Sequence, residues 1–370
     1  MSPAPYRLYG WELSLYSGKV RAYLRHKGIA FREKRINLWE MREIKRRTGA
    51  QVMPVVVTPE GEWLQDTSHI IDVLESRFPQ APVVPVTPKQ HIAAYLLEAW
   101  GDEFWLPSAM HYRWNFPENF HEIFQTEGGD NLLPFAPRFL KNKLIAKAAG
   151  AMRSFLPGLG VNAQQAAIIE AWTQARCDAL DTHFARYPYL LGARPCLGDY
   201  GLIGPLYAHL GRDPYPVRAL MASRPHLAAW VQRMLHPPAS TSVSADGEFL
   251  PDDEVPDTLR PVFDSIFGEF WPYLLATRDA VERATPSLQP GRGYRRALDI
   301  VEIPQLGRPF KIAARPYSLW MAQRVLDAYT ALPLPARVPV DAWLADWGGG
   351  AAMTIRMPRL KRLTLHVAPA

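Results

Sequence analysis

The stretch Ser14-Leu15-Tyr16-Ser17-Gly18-Lys19-Val20-Arg21 puts hydroxyl side chains where a short apolar strand gives way to a helix. A hydroxyl at such a turn can accept a hydrogen bond from an orphan backbone N–H of the first helical turn and so cap it. It can also donate one to an anion held at the positive end of the helix. Ser17 suits the capping role and Ser14 the second, with Tyr9, Tyr16 and Ser17 as rivals for it. Further on, Asp66-Thr67 precedes Ile70, Ile71, Leu74 and Phe78, an apolar stripe at helical spacing. Its first turn presents outward-pointing N–H groups that favour a carboxylate, and capping by Asp66 is compatible with that use.

These positions require a scaffold, and the first eighty-odd residues predict one. Tyr6 to Gly10 reads as a strand, Ser17 to Lys27 as a helix, Ala30 to Asn37 as a strand and Glu40 to Arg47 as a polar helix. Val55 to Thr58 and Glu62 to Leu64 flank Pro59-Glu60-Gly61 as a hairpin, and the Asp66-capped helix closes the set. The succession βαβ, helix, ββ, helix is that of an α/β thioredoxin-like domain, residues 1–85.

A Pro-rich stretch from Phe78 to Pro88 reads as a linker. Residues 86–237 then carry long helical periodicity, in His91 to Trp105, Ala163 to Tyr187, Cys196 to Leu210 and Pro225 to Leu235, and predict an all-helical domain. A second linker, His236 to Pro256, opens an α+β extension, residues 238–370, expected to pack on the helical domain. In it, Asp257 to Ala284 and Tyr317 to Leu332 read as helices. Ala297 to Ile303, Phe310 to Ala314, Ala352 to Met357 and Leu363 to Val367 read as strands.

Composition narrows the function classes. The chain has 370 residues, 48% of them hydrophobic, enough for a large core divided over two or three domains. No apolar run is long enough to span a bilayer, and the N-terminal residues lack the pattern of a signal peptide, so a cytoplasmic protein with no membrane partner is expected. The net charge of +6 is skewed, with twelve Lys and Arg against four Glu in the first fifty residues. Because those charges interleave with Val20, Leu24 and Ile29, they read as a solvated helix face and no nucleic-acid partner is expected. Cys177 and Cys196 have no metal-ligand pattern around them and read as buried small hydrophobes; neither a disulfide framework nor a metal site is expected.

Four strings in order, SLYSGKVR, VMPVVV, LQDTSHIIDVLE and CLGDYGLIGPLYAHL, resemble the cytosolic glutathione transferase superfamily over roughly residues 5 to 236. The resemblance implies glutathione as co-substrate, a small electrophile as the other substrate, and, as is common in the family, a homodimer. It puts Ser14 at the sulfur of glutathione, although Leu15 stands where the family often has proline. Since position 14 is not cysteine, disulfide exchange is disfavoured. A hydrogen bond to a charged acceptor is worth roughly 1.5–3 kcal/mol, so one hydroxyl lowers a thiol pKa by about one to two units.

The resemblance also implies a cis bond at Met53-Pro54, exposing the Met53 backbone to the cysteinyl part of glutathione, much as an added strand pairs with a sheet edge. It assigns Asp66 to the γ-glutamyl ammonium and Thr67 to its carboxylate, with Lys45 or Arg46 near the glycyl end. In Cys196-Leu197-Gly198-Asp199, cysteine replaces the family's Ser or Thr, leaving Asp199 as the main structural cap. For the electrophile, His111, Tyr112, Arg113 and Trp114 offer aromatic walls with one basic group, suited to a flat electron-poor molecule; Tyr207 is a further candidate. A competing reading makes the chain a non-catalytic interaction module of the same fold that works through its extension.

Overall fold

The computed structural model describes residues 5–237, 248–289 and 291–370. In chain order the elements are β1 (Tyr6–Gly10), α1 (Leu15–His26), β2 (Phe31–Arg35), α2 (Leu38–Thr48), β3 (Val55–Val57), β4 (Trp63–Gln65) and α3 (Thr67–Arg77). Next come α4 (Pro88–Glu103), α5 (Leu106–Asn115), α6 (Gln125–Leu132), α7 (Arg138–Arg153), α8 (Ala166–Phe184), α9 (Leu197–Pro205), the single turn α10 (Pro214–Pro216) and α11 (Pro225–Leu235). The remainder is α12 (Arg260–Ser265), α13 (Trp271–Ala284), β5 (Ile300–Gln305), β6 (Arg308–Ala313), α14 (Pro316–Ala331), α15 (Leu334–Asp346), β7 (Leu360–Arg362) and β8 (Val367–Pro369). The chain forms two compact units, one of Met1–Val83, Ala109–Phe155 and Leu202–Asp246, the other of Val84–Ser108, Leu156–Gly201 and Gly247–Ala370.

In the first unit the sheet runs β2-β1-β3-β4, with β1 parallel to β2 and antiparallel to β3, and β3 antiparallel to β4. This is the thioredoxin-like order expected from the sequence. Leu8, Val55, Val56, Val57 and Leu64 are buried on the sheet, and Val20, Leu24, Ile70, Ile71 and Leu74 are buried on α1 and α3. Burying each such side chain stabilises the fold by about 1.5–3 kcal/mol, which is what fixes the helices to the sheet. Asn37 and Glu40 close a capping box on α2, and Gly49, at φ 85°, ends it in the left-handed conformation.

Part of the Pro-rich stretch is fastened rather than free. Glu75 on α3 pairs with the Lys27 ammonium at 2.9 Å and accepts from Tyr23 Oη at 2.6 Å and from the Val83 N–H at 2.9 Å. Lys27 also donates to the Gln80 carbonyl at 2.7 Å.

The expectation of a solvated basic face on the first helix is corrected. Lys19, Arg21 and Lys27 are all buried. Each offsets its desolvation with a partner: Ser68 Oγ for Lys19 at 3.3 Å, Glu33 and Glu12 for Arg21, and Glu75 for Lys27. Alternation with apolar residues was a poor guide because nearly every face of α1 is covered.

In the second unit, α4 packs against α14 and α15, and α8 against α12. Trp100, Phe104, Trp105 and Trp172 meet edge-on or tilted at ring separations of 5.0–6.0 Å. Residues from the chain's last third therefore share a core with α4 and α8. Val281, Tyr294, Leu319, Leu360 and Val367 form a further buried cluster within that last third.

Four readings of this region change. The long helix from Asp257 is a 3₁₀ turn, α12, a π turn at Ile266–Phe270 and α13. Pro272 lies in the first turn of α13, where it cannot donate to the preceding turn, and the Trp271 N–H before it donates to the Ile266 carbonyl in the wider π register. Leu334–Asp346, unread in the sequence, is a helix that carries Pro339 inside it. Ala352 to Met357 holds a 3₁₀ turn instead of a strand, and Leu363 to Val367 is mostly the turn joining β7 to β8. Of the second linker, residues 238–247 lie outside the described residues.

Candidate functional site

The sheet register brings the sequence-selected positions to one end of the sheet. Tyr9 pairs with Val55, and Val55 with Gln65, so the exit of β1, the entry of β3 and the exit of β4 lie side by side. Ser14 follows the first, Met53-Pro54 precedes the second and Asp66-Thr67 follows the third. The helices α1 and α3 also begin at this end, each with its positive terminus.

Ser14 is the N-cap of α1, in an extended conformation, and its Oγ accepts from the Ser17 N–H at 3.2 Å. The cap had been expected at Ser17. The helix starts two residues earlier than its periodicity suggested, and Ser17 is buried in its first turn, where its Oγ accepts from the Trp11 N–H at 3.4 Å. Capping uses one lone pair of Ser14 and leaves its O–H as a donor. Ser14 is half-buried, and its hydroxyl donates to no described residue.

The rivals are placed differently. Tyr9 is buried, stacked on Trp63 at 5.5 Å beneath the Lys34 ammonium. Tyr16 is half-buried in the first turn of α1.

The Met53–Pro54 peptide bond is cis. Asp66 caps α3, accepting from the His69 N–H at 3.2 Å, and does so at φ 79°. That left-handed conformation costs a non-glycine residue about 1–3 kcal/mol, and such costs collect where a side chain must be aimed. Thr67 and Ser68 are buried at the first turn of α3. Lys19, which sequence reasoning missed, brings a buried ammonium from α1 to Ser68. Its signal was weak, since a lysine in a helix is ordinarily solvated. Of the two candidates for the glycyl end, Arg46 is taken up by Glu43 at 2.6 and 2.8 Å, and Lys45 is exposed.

Behind the Ser14 turn stands a second layer. Tyr207 donates to Glu12, which also meets Arg21 at 3.3 Å. Burial and the Glu12 carboxylate both push the Tyr207 phenol well above its ordinary range. Two glycines allow this approach. A Cβ on Gly18 would stand 2.9 Å from the Tyr207 ring, and one on Gly204 would stand 3.1 Å from the Leu15 carbonyl.

His111, Tyr112, Arg113 and Trp114 are all buried. Arg113 pairs with Asp213 and donates to the carbonyls of Ala208 at 2.5 Å and Leu13 at 3.4 Å, the latter the residue before Ser14. Burial pushes the Asp213 carboxyl up to about 6, against the pull of Arg113. His111 lies 2.8 Å from Asn115, Tyr112 stacks on Phe116 at 5.5 Å, and Trp114 meets Phe124 at 4.7 Å.

In the second unit, Asp199 accepts from the Cys196 N–H at 2.9 Å and the Leu190 N–H at 3.2 Å, the structural role read for it. Cys177 and Cys196 are buried free thiols. Among the described residues no group of three or more His, Cys, Asp or Glu could hold a metal ion. No described helix is long and apolar enough to cross a membrane.

Residues 8–82 match the family described as glutathione S-transferase, N-terminal domain. No curated protein matches the chain. Among solved structures, the chain is similar to a glutathione S-transferase from Rhodospirillum rubrum F11, at 15% identity over 68% of this chain and 96% of that one, TM-score 0.43. It is similar to another from Methylobacterium radiotolerans JCM 2831 in complex with glutathione sulfonate, at 19% identity, covering 64% and 92%, TM-score 0.39. A third, from Methylobacillus flagellatus KT with GSH bound, is 17% identical, covering 63% and 96%, TM-score 0.37. Over residues 8–82, folded in the thioredoxin-like order, the chain thus carries a domain similar to the N-terminal domain of the glutathione S-transferases.

Proposed function

We propose that the chain is a glutathione transferase that binds the tripeptide across the sheet end described above and directs its sulfur at a small electrophile. The observation that carries this reading is the register row Tyr9, Val55, Gln65, which aligns Ser14, Met53-Pro54 and Asp66-Thr67 within one family-matched domain.

In this reading Asp66 pairs with the γ-glutamyl ammonium, while Thr67 and the N–H groups of the first turn of α3 take its carboxylate, helped by the Lys19 charge. The Met53 backbone N–H and C=O pair with the cysteinyl residue as a short added strand. The Ser14 hydroxyl, fixed by its bond to the Ser17 N–H, donates to the thiolate, and the positive end of α1 adds to the effect. The thiolate forms a carbon–sulfur bond as the electrophile's leaving group departs, or as an activated double bond takes up the electron pair. His111, Tyr112, Arg113 and Trp114 form the rear wall of the acceptor site, with Arg113 steadying the Leu13 carbonyl. The protein acts in the cytoplasm as a homodimer.

The test is the thermal melt of the full chain with and without millimolar glutathione. A ligand that binds only the folded state raises the melting temperature, by about 2.7 kcal/mol of stability at a hundredfold excess over its dissociation constant. A rise with glutathione, and none with its constituent amino acids, supports the reading; no rise refutes it.

A further inference from the structure

From Asn131 to Ile169 the chain carries five cations, Arg138, Lys141, Lys143, Lys147 and Arg153, and no Asp or Glu. Within that stretch Phe135 is 98% exposed, Phe139 69%, Phe155 53% and Leu140 42%. The inward face of α7 is made by Ile145, Ala149 and the stem of Lys141. Phe139, Lys143 and Lys147 follow at four-residue spacing on its outer face, where Ala146, Gly150 and Ala151 are also exposed.

Three of the cations are taken up within their own unit. Arg138 and Lys141 reach Asp130 at 3.0 and 2.9 Å, and Arg153 lies over the rings of Phe120 and Trp114 at 4.8 and 5.3 Å. Lys143 and Lys147 pair with no described residue. Single exposed apolar side chains are ordinary, but three within six residues beside two unpaired ammonium groups mark a surface that meets something.

We propose that the outer face of α7, with the turn before it, is a peripheral docking surface for an anionic lipid membrane. The charges and the rings favour this occupant together. At a bilayer interface the Phe side chains enter the boundary between headgroups and acyl chains, while the lysine stems lie along it and their ammonium groups stay at the phosphates. A second copy of the chain is disfavoured, because a two-fold contact would bring Lys143 and Lys147 against their own counterparts, with no Asp or Glu between Asn131 and Ile169 to pair with them. A nucleic-acid duplex would satisfy the lysines and leave the rings in water. The expectation of no membrane partner rests on the lack of a spanning segment and a signal peptide, and a surface that attaches needs neither. It stands independently of the glutathione site.

The experiment is co-sedimentation of the full chain with vesicles of phosphatidylcholine alone or mixed with phosphatidylglycerol. The chain is expected to sediment with the mixed vesicles and not with phosphatidylcholine. The variant K143Q/K147Q should bind roughly fivefold more weakly per lysine removed. F135S/F139S should stay in the supernatant with an unchanged thermal melt, since both side chains are exposed. Absence of sedimentation with mixed vesicles, or equal sedimentation of F135S/F139S, overturns the proposal. So does a dimer that F135S/F139S dissociates when no lipid is bound, or DNA binding that needs the lysines but not the rings.

Discussion

The polar groups at the sheet end of the first unit and those buried in the second unit show opposite solutions to placing charge in a protein. In the second unit Glu269 is buried and accepts from Trp172 Nε1 at 2.7 Å, Ser265 Oγ at 2.5 Å and the Leu306 N–H at 2.8 Å. Glu103 meets Ser318 and Arg315, and Glu98 meets Arg324 at 3.3 Å. These carboxylates are surrounded by the chain's own donors, and their work is to fix α4, α8, α13 and α14 in place. At the sheet end, by contrast, Ser14 and Asp66 are only half-buried. The Ser14 cap leaves a donor unspent, and Asp66 accepts the cost of a left-handed conformation. A closed network holds a fold, whereas the sheet end keeps a donor in reserve at Ser14.

The contrast is broken most forcefully at Glu269. Replacing it with alanine strands two buried donors, Trp172 Nε1 and Ser265 Oγ, and should cost about 2–5 kcal/mol. The rise in melting temperature on adding glutathione should persist, because the change is structural. If Glu269→Ala abolished glutathione binding while leaving stability intact, the division between the two kinds of cluster would be wrong.

A somewhat smaller effect concerns His183, which is buried between Thr258 Oγ1 at 2.7 Å and the Tyr189 carbonyl at 3.2 Å. Burial lowers its pKa from 6.5 to about 4. Between those values the unfolded chain takes up a proton that the folded chain refuses. Stability from this group is therefore full above pH 6.5 and falls as pH drops toward 4, by roughly 3 kcal/mol in all. Denaturant melts across that range should show a shallower slope for His183→Gln than for the parent; identical slopes would remove His183 from the account.

Much of the first domain was legible because its apolar periods, turn residues and caps agree with one another. Tyr6 to Gly10 and the Val55 strand were found within a residue, and Asp66 was placed at the start of its helix. The cap of α1 was missed by three residues, since two serines compete there and only backbone geometry separates them. Lys19 and Arg21 were misread because burial on all faces of a helix leaves no period to detect. In the last third a proline hid one helix: Pro339 sits inside Leu334–Asp346, where packing outweighs the local penalty. For the candidate site, the sequence supplied residues but not their adjacency, which follows from strand register. Arg113 could be read as a basic group in an aromatic run, but not as a donor to Leu13, because Asp213 lies a hundred residues away.

In the proposed transferase the Ser14 hydroxyl stabilises a sulfur anion at the start of α1. Titrating the thiol of bound glutathione through its ultraviolet thiolate absorbance, in the parent and in Ser14→Ala, measures that stabilisation. The expected midpoint lies about one to two units below the ordinary thiol value of roughly 8.5 in the parent, returning toward that value in the variant. An unshifted midpoint in the parent, or the same lowered midpoint in both proteins, would contradict it.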